Sequence, residues 1–223
     1  MTEQHALVQA ELRVRVIELV RDVDPAVLDR PAAATPGWRV RDVLAHMVGV
    51  SDDVVNGRLD GIASDEWTGA QVERRRNISI AELLGDWEYY GPEFEKLLAG
   101  APEEIAGQAI FDAATHEHDL RQAIGRPGAR DSDAMDLSWQ WLVSTRTRAG
   151  ASAIRFVTEH RDDIAGAGEP LVTVHAPRFE LLRATTGRRS AEEIASYEWE
   201  PAPDVTLLIA APFFTIRADS LAE

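Results

Sequence analysis

The stretch FDAATHEHDLRQAIGRPG, residues 111–128, sets two histidines and three acidic residues between Asp112 and Asp119, then ends on Gly-Arg-Pro-Gly. The closing residues are a helix stop: a glycine can take the left-handed conformation past the last turn, and a proline cannot continue the ladder. Read as a helix, the stretch puts Asp112 and His116 four residues apart, one turn above each other on one face. Asp119 continues that stripe, and Ala109 and Ala123 beside it leave room for a group against the face. His118 points about 160° away from His116 and Glu117 about 100° away, so the five polar residues do not form one cluster. The pair with chemical use is Asp112 with His116.

Working outward, residues 5–22 carry Leu7, Leu12, Val14, Val16, Ile17, Leu19 and Val20 at helical spacing. DPAVLDRPAAATPGW (24–38) holds three prolines and a glycine and reads as a loop. A second amphipathic helix is expected from about Val40 to Leu59, and DGIASDEWTG (60–69) as another loop. A third helix is expected over Ser79–Ala99, with Ser79 and Glu82 as a capping box. Residues 132–163 read as one long or two shorter helices, with no strand-like alternation before 165. AGAGEP (165–170) marks a composition break. LVTVHA (171–176) follows as a β-branched run, FELLRATTGRRS (179–190) as helix, glycine stop and turn, and AEEIAS (191–196) as a short helix. DVTLLIAAPFFTIR (204–217), broken by Pro212, fits buried strand segments. The expected fold class is mainly α: a helical bundle over 1–165 and a small C-terminal α/β domain over 170–223.

Composition narrows the function. Hydrophobic residues make up 45% of 223, enough for a packed core. A net charge of −15 repels phosphate backbones and anionic lipid, which argues against nucleic acid and membrane as partners. The N-terminus lacks the pattern of a signal peptide and no window spans a bilayer, so a cytoplasmic protein is expected. There is no cysteine, so disulfides, thiolate ligands and a protein thiol nucleophile are excluded, and any thiol must come from a cosubstrate. Nothing in the sequence separates monomer from dimer.

A carboxylate and an imidazole at i, i+4 can share a divalent cation, but two ligands are too few. His46, in VRDVLAHMVGV (40–50), lies on or beside the apolar stripe of its helix and is the best third candidate. The plainer readings are a core histidine bonded to a carbonyl and a solvated Asp–His surface pair. VERRRN (72–77) reads as arginines paired with nearby acids. GRRS (187–190) reads as a turn with solvated arginines or a grip for a carboxylate. Trp38, Trp87, Trp139 and Trp141 read as packing residues, and His5, His160 and His175 as structural or surface. Spacing alone stops at a helical domain with a candidate metal pair.

TPGWRVRDVLAHMVGV (35–50) resembles the second helix of the DinB-like superfamily, in the branch named for mycothiol-dependent maleylpyruvate isomerase. HEHDLRQAIGRPG (116–128) is similar to that family's His-Glu-x-Asp-Ile-Arg and Leu-Gly-Arg-Pro, and FELLRATTGRRSAEEI (179–194) to its C-terminal part. The resemblance covers most of the chain. It implies that the bundle is a four-helix one, with a divalent metal inside it on His46, Asp112 and His116, zinc first, with nickel or iron(II) as alternatives. It implies mycothiol as cosubstrate and a small electrophile as substrate, hence a thiol-using transferase or isomerase. Asp119 is placed to orient a ligand from behind. Two departures stand out: Arg39 replaces the Ser or Thr cap common in the family, and Asp112 is shorter than the isomerase's glutamate. The rival readings are a non-catalytic metal-binding or stress-response protein of the same fold and a non-haem iron oxygenase, since two histidines and a carboxylate also suit Fe(II).

Overall fold

The computed structural model describes residues 2–202, 204–209, 214–221 and 223. The first seven helices are α1 (Thr2–Arg21), α2 (Pro25–Leu28), α3 (Val40–Val55), α4 (Asp65–Arg74), α5 (Ile80–Ala99), α6 (Glu103–Ile124) and α7 (Asp133–Arg148). Strands β1 (Ser152–Val157), β2 (Asp162–Ala165) and β3 (Ala167–His175) follow, then helices α8 (Arg178–Thr185) and α9 (Ala191–Ala195) and strand β4 (Glu198–Glu200). A 3₁₀ turn covers Val205–Leu208. The chain is thus mainly helical with a small C-terminal sheet. Among the described residues, no helix is long and apolar enough to cross a membrane.

Two compact units divide the chain, one up to Ala129 and one from Arg130. In the first, α1 packs against α5 and α6, and α3 packs against the same two, which closes a four-helix bundle; α4 packs on α3. The core is the sum of the apolar stripes: Leu12 and Val16 from α1, Val43 and Leu44 from α3, Leu83 and Trp87 from α5, and Ile110 and Leu120 from α6, all 1% exposed or less. Two residues placed inward by spacing, Leu7 and Val14, are instead exposed at 67% and 47%. Periodicity shows that a helix has an apolar face but not how wide the neighbours' cover is.

The helix ends follow local chemistry. Ser79 and Glu82 form the capping box at the start of α5, the hydroxyl accepting from Glu82 N at 3.2 Å and Glu82 Oε2 accepting from Ser79 N at 2.9 Å. At α3, Arg39 has no oxygen with which to cap. Asp42 serves instead, accepting from Arg39 N at 2.9 Å and from its guanidinium at 2.8 and 3.0 Å. That helix ends at Val55, four residues short of the expected Leu59. Gly125 closes α6 in the left-handed conformation (φ 71°), with Arg126 N bonded to Arg121 O at 3.0 Å, as the glycine stop predicted.

Two helices have no counterpart in the sequence reading: the single turn α2, inside the expected loop 24–38, and α4. Residues 60–69 read as loop, yet Ser64 caps α4 by accepting from Trp67 N at 3.2 Å, and Asp65 and Glu66 sit favourably at its N-terminus. With only two buried side chains, Trp67 and Gln71, α4 is too polar to show an apolar stripe.

In the second unit the sheet order is β2-β1-β3-β4, with β1 and β3 parallel and both edge strands antiparallel. The helix expected over 132–163 stops at Arg148, and β1 and β2 occupy its second half. β1, SAIRFV, is too short and mixed for its alternation to stand out; pairing with β3 (Ile154 with Val172, Phe156 with Val174) makes it a strand. The strand reading of 204–217 fails over Val205–Leu208, which form the 3₁₀ turn; residues 210–213, with Pro212, lie outside the described residues. Trp139 packs edge-on against Phe156 at 5.3 Å and donates to Asp163 Oδ2 at 2.8 Å. Nor are the arginines of GRRS solvated. Arg188 and Arg189 are 6% and 3% exposed, and Arg189 makes a two-pronged pair with Glu180 at 2.6 and 3.1 Å.

The composition break at 165–170 falls within this sheet, running from the last residue of β2 into the first half of β3, so a chain ending at 165 would leave β1 without its parallel neighbour. We expect a polypeptide ending at residue 129 to give a helical circular dichroism spectrum and a cooperative melt. A non-cooperative melt would move the boundary downstream, toward the break at 165.

Candidate metal centre

His46 on α3 and Asp112 and His116 on α6 meet inside the bundle. One ligand atom from each lies within 4.8 Å of the other two. The aspartate sits between the rings: Oδ2 is 3.3 Å from His46 Nε2 and Oδ1 is 3.6 Å from His116 Nε2. The shorter acid therefore reaches both imidazoles. The ring centroids are 4.9 Å apart and nearly perpendicular, at 82°. α6 supplies its two residues by the i, i+4 repeat; His46 arrives because α3 packs against α6.

Each ring is held from behind. His116 Nδ1 lies 3.0 Å from Asp119 Oδ2, one turn along α6. His46 Nδ1 lies 2.7 Å from Gln71 Oε1 on α4. Each Nδ1 thus has an oxygen to which it can donate, and each Nε2 faces the Asp112 carboxylate. The position of Asp119 behind His116 is the one its spacing predicts. Gln71 has no such signal, because its helix does not show in the sequence and 25 residues separate it from His46.

His46 is buried, at 3% exposed. That burial is the largest influence on its basicity and pushes the pKa down. Asp112, by charge and hydrogen bond, and then Gln71 and Asp53 outweigh it, and the net direction is up. The polar groups around His46 thus favour positive charge on its ring. The Asp112 side chain is 41% exposed, so the convergence point opens to solvent at the carboxylate. Trp38, a packing residue by sequence, closes another side, with its ring 5.6 Å from His46 and 6.3 Å from His116, the latter stacked at 25°.

The remaining polar residues of the opening stretch do other work. Glu117 is 1% exposed and takes a two-pronged pair from Arg15 on α1, at 2.9 and 2.7 Å, and a bond from Arg121 at 3.0 Å. The arginines of VERRRN pair with acids: Arg74 with Asp53 at 2.6 Å, Arg75 with Asp52, and Arg76 with Glu73 at 2.5 Å. In Asp52, burial pushes the pKa up, but hydrogen bonds and charge from Arg58 and Arg75 outweigh it, and the net direction is down. A second convergence joins Asp131, Glu159 and His160 within 4.8 Å, all exposed, in the unit after residue 130. His160 thus has acidic company that its sequence neighbourhood did not reveal.

These features define a class: a helical-bundle protein whose facing helices aim two histidines and a carboxylate at one point. The chain belongs to the mycothiol maleylpyruvate isomerase N-terminal domain family, whose model matches residues 10–165. Two solved structures share its fold. A mycothiol-dependent maleylpyruvate isomerase matches with TM-score 0.59 and 13% identity over 92% of this chain and 95% of that one. A histidine-to-alanine mutant of a mycothiol-dependent maleylpyruvate isomerase matches with TM-score 0.64 and 12% identity over the same shares. No curated protein gives a significant match.

Proposed function

We propose that this chain is a divalent-metal-dependent enzyme, a transferase or isomerase that uses a small thiol, mycothiol, to act on a small electrophile. The observation that carries the reading is the convergence of His46 Nε2, His116 Nε2 and the Asp112 carboxylate at one solvent-open point. Those three donors, two nitrogens and an oxygen, suit zinc, with nickel or iron(II) accepted by the same set. Bound there, such an ion supplies Lewis acidity, which lowers the pKa of a thiol or water. Three protein ligands leave positions open for that partner.

The chain's own residues account for the rest. Gln71 and Asp119 hold the rings in the ligating orientation. Trp38 walls the site on one side and Asp112 leaves it accessible on another. With no cysteine in the chain, the sulfur nucleophile has to be brought in, which agrees with the mycothiol named for the family and for both solved relatives.

The test uses the cobalt(II)-substituted protein. Adding mycothiol should give a new near-ultraviolet band that saturates with thiol. Asp112→Ala should abolish it, and Asp119→Ala should keep the cobalt but shift the half-saturation point. A fully metallated protein whose spectrum is indifferent to mycothiol and other small thiols would overturn the thiol reading and favour a non-catalytic metal-binding protein.

A further inference from the structure

We infer that Gln71 and Asp53 are positioning residues that fix the tautomer of His46 from outside the ligand set. A neutral imidazole carries one hydrogen on either nitrogen, and the neighbours decide which. Gln71 alone would not decide, because an amide can turn either its oxygen or its NH₂ toward the ring. Asp53 removes that freedom. Its Oδ2 accepts from Gln71 Nε2 at 2.9 Å. The NH₂ is thereby committed to Asp53, the amide oxygen faces His46, and the ring must donate from Nδ1.

Asp53 is held in turn. It is fully buried, and Arg58 and Arg74 bond to it at 2.6 Å each. Both guanidiniums are pure donors, so the carboxylate is kept in its accepting role. The chain of donors and acceptors therefore runs in one direction, from the two arginines through Asp53 and Gln71 to His46.

Backbone packing supports the same assignment. A Cβ at Gly49, one turn beyond His46 on α3, would lie 2.6 Å from Gln71 Cβ and 2.8 Å from its Cγ. Glycine there lets α4 come close enough for the Gln71 amide to reach the ring. α4 thus contributes no metal donor of its own and still sets one. His116 gets the same service from Asp119 on its own helix, whereas His46 depends on a separate element.

The effect on the metal rests on the proposed metal site; the tautomer does not, so the test separates them. Long-range ¹H–¹⁵N correlation spectra of the metal-stripped full-length chain, at a pH where the ring is neutral, report each ring nitrogen. His46 should show a protonated Nδ1 and a bare Nε2. Gln71→Leu should move both shifts toward a mixture of tautomers and weaken cobalt(II) binding about 10–100-fold. The double variant Gln71→Glu with Asp53→Asn should restore the wild-type pattern and most of the affinity. In it the introduced carboxylate accepts both from His46 and from the introduced amide, while the summed charge is unchanged. Should Gln71→Leu not fold, the double variant and Gln71→Met carry the same comparison. A bare Nδ1 in the wild type, an unchanged pattern in a folded Gln71→Leu, or no restoration in a folded double variant would overturn the inference. Failure of the wild type to bind cobalt would instead overturn the proposed metal site and leave the tautomer assignment standing.

Discussion

Replacing His46 or His116 with alanine should lower bound divalent metal from the proposed level of about one ion per chain to near none, measured by elemental analysis of protein purified without chelators. Each substitution removes one of three donors, and the remaining two do not amount to a set that competes with water and buffer. The two histidines should behave alike although their settings differ, His46 being 3% exposed and His116 half-buried beside the opening. Removing His46 leaves Asp112, 41% exposed, free to be solvated, whereas removing His116 also takes a hydrogen-bond partner from Asp119, which is 1% exposed. The folded state should persist, and a retained cooperative melt distinguishes ligand loss from unfolding. Full metal retention in both single variants would exclude this triad as the site.

Trp87→Ala should destabilise the protein by about 3–5 kcal/mol, as buried aromatic truncations do. Trp87 is 1% exposed and stands on α5 where that helix packs against α3. Its indole Nε1 donates to Ser51 Oγ at 3.2 Å, and Ser51 is itself 1% exposed. Truncation would open a cavity and also strand a buried hydroxyl. Against a typical total of about 5–15 kcal/mol, such a loss removes a large share of the stability. Trp87→Phe keeps most of the volume and should cost less than the alanine change. Urea denaturation of the two variants checks the ordering. A loss below about 1 kcal/mol for alanine would mean that the helices close over the gap.

Much of the bundle is legible from local signals, because those signals act between near neighbours in the chain. The Ser79–Glu82 box, the Gly125 stop and the apolar repeats of α3 and α5 each follow from residues three or four apart. Asp112 and His116 pair by the same arithmetic, since one helical turn brings them together whatever the rest of the fold does. The apolar neighbours of His46 place it on the correct helix face, and its partners follow from family resemblance rather than from spacing.

What only the tertiary structure decided involves residues far apart in sequence. Gln71 turns His46 across 25 positions, and Arg15 neutralises Glu117 across 102. No periodicity encodes such a pairing. Trp38 reads as core because aromatic residues usually are, and only its position beside two imidazoles makes it a wall of the site. α4 escapes notice because a helix held mainly by ion pairs to a neighbour has no apolar stripe to read. β1 escapes notice because a six-residue strand becomes one through hydrogen bonds to β3, which lies beyond the next turn and strand. Sequence by itself determined that the four long bundle helices, α1, α3, α5 and α6, form and where α5 and α6 end, since those choices are settled within a turn or two. The tertiary structure decided which donors face one another and which nitrogen each histidine offers, because those depend on contacts made only when α3, α4 and α6 are packed.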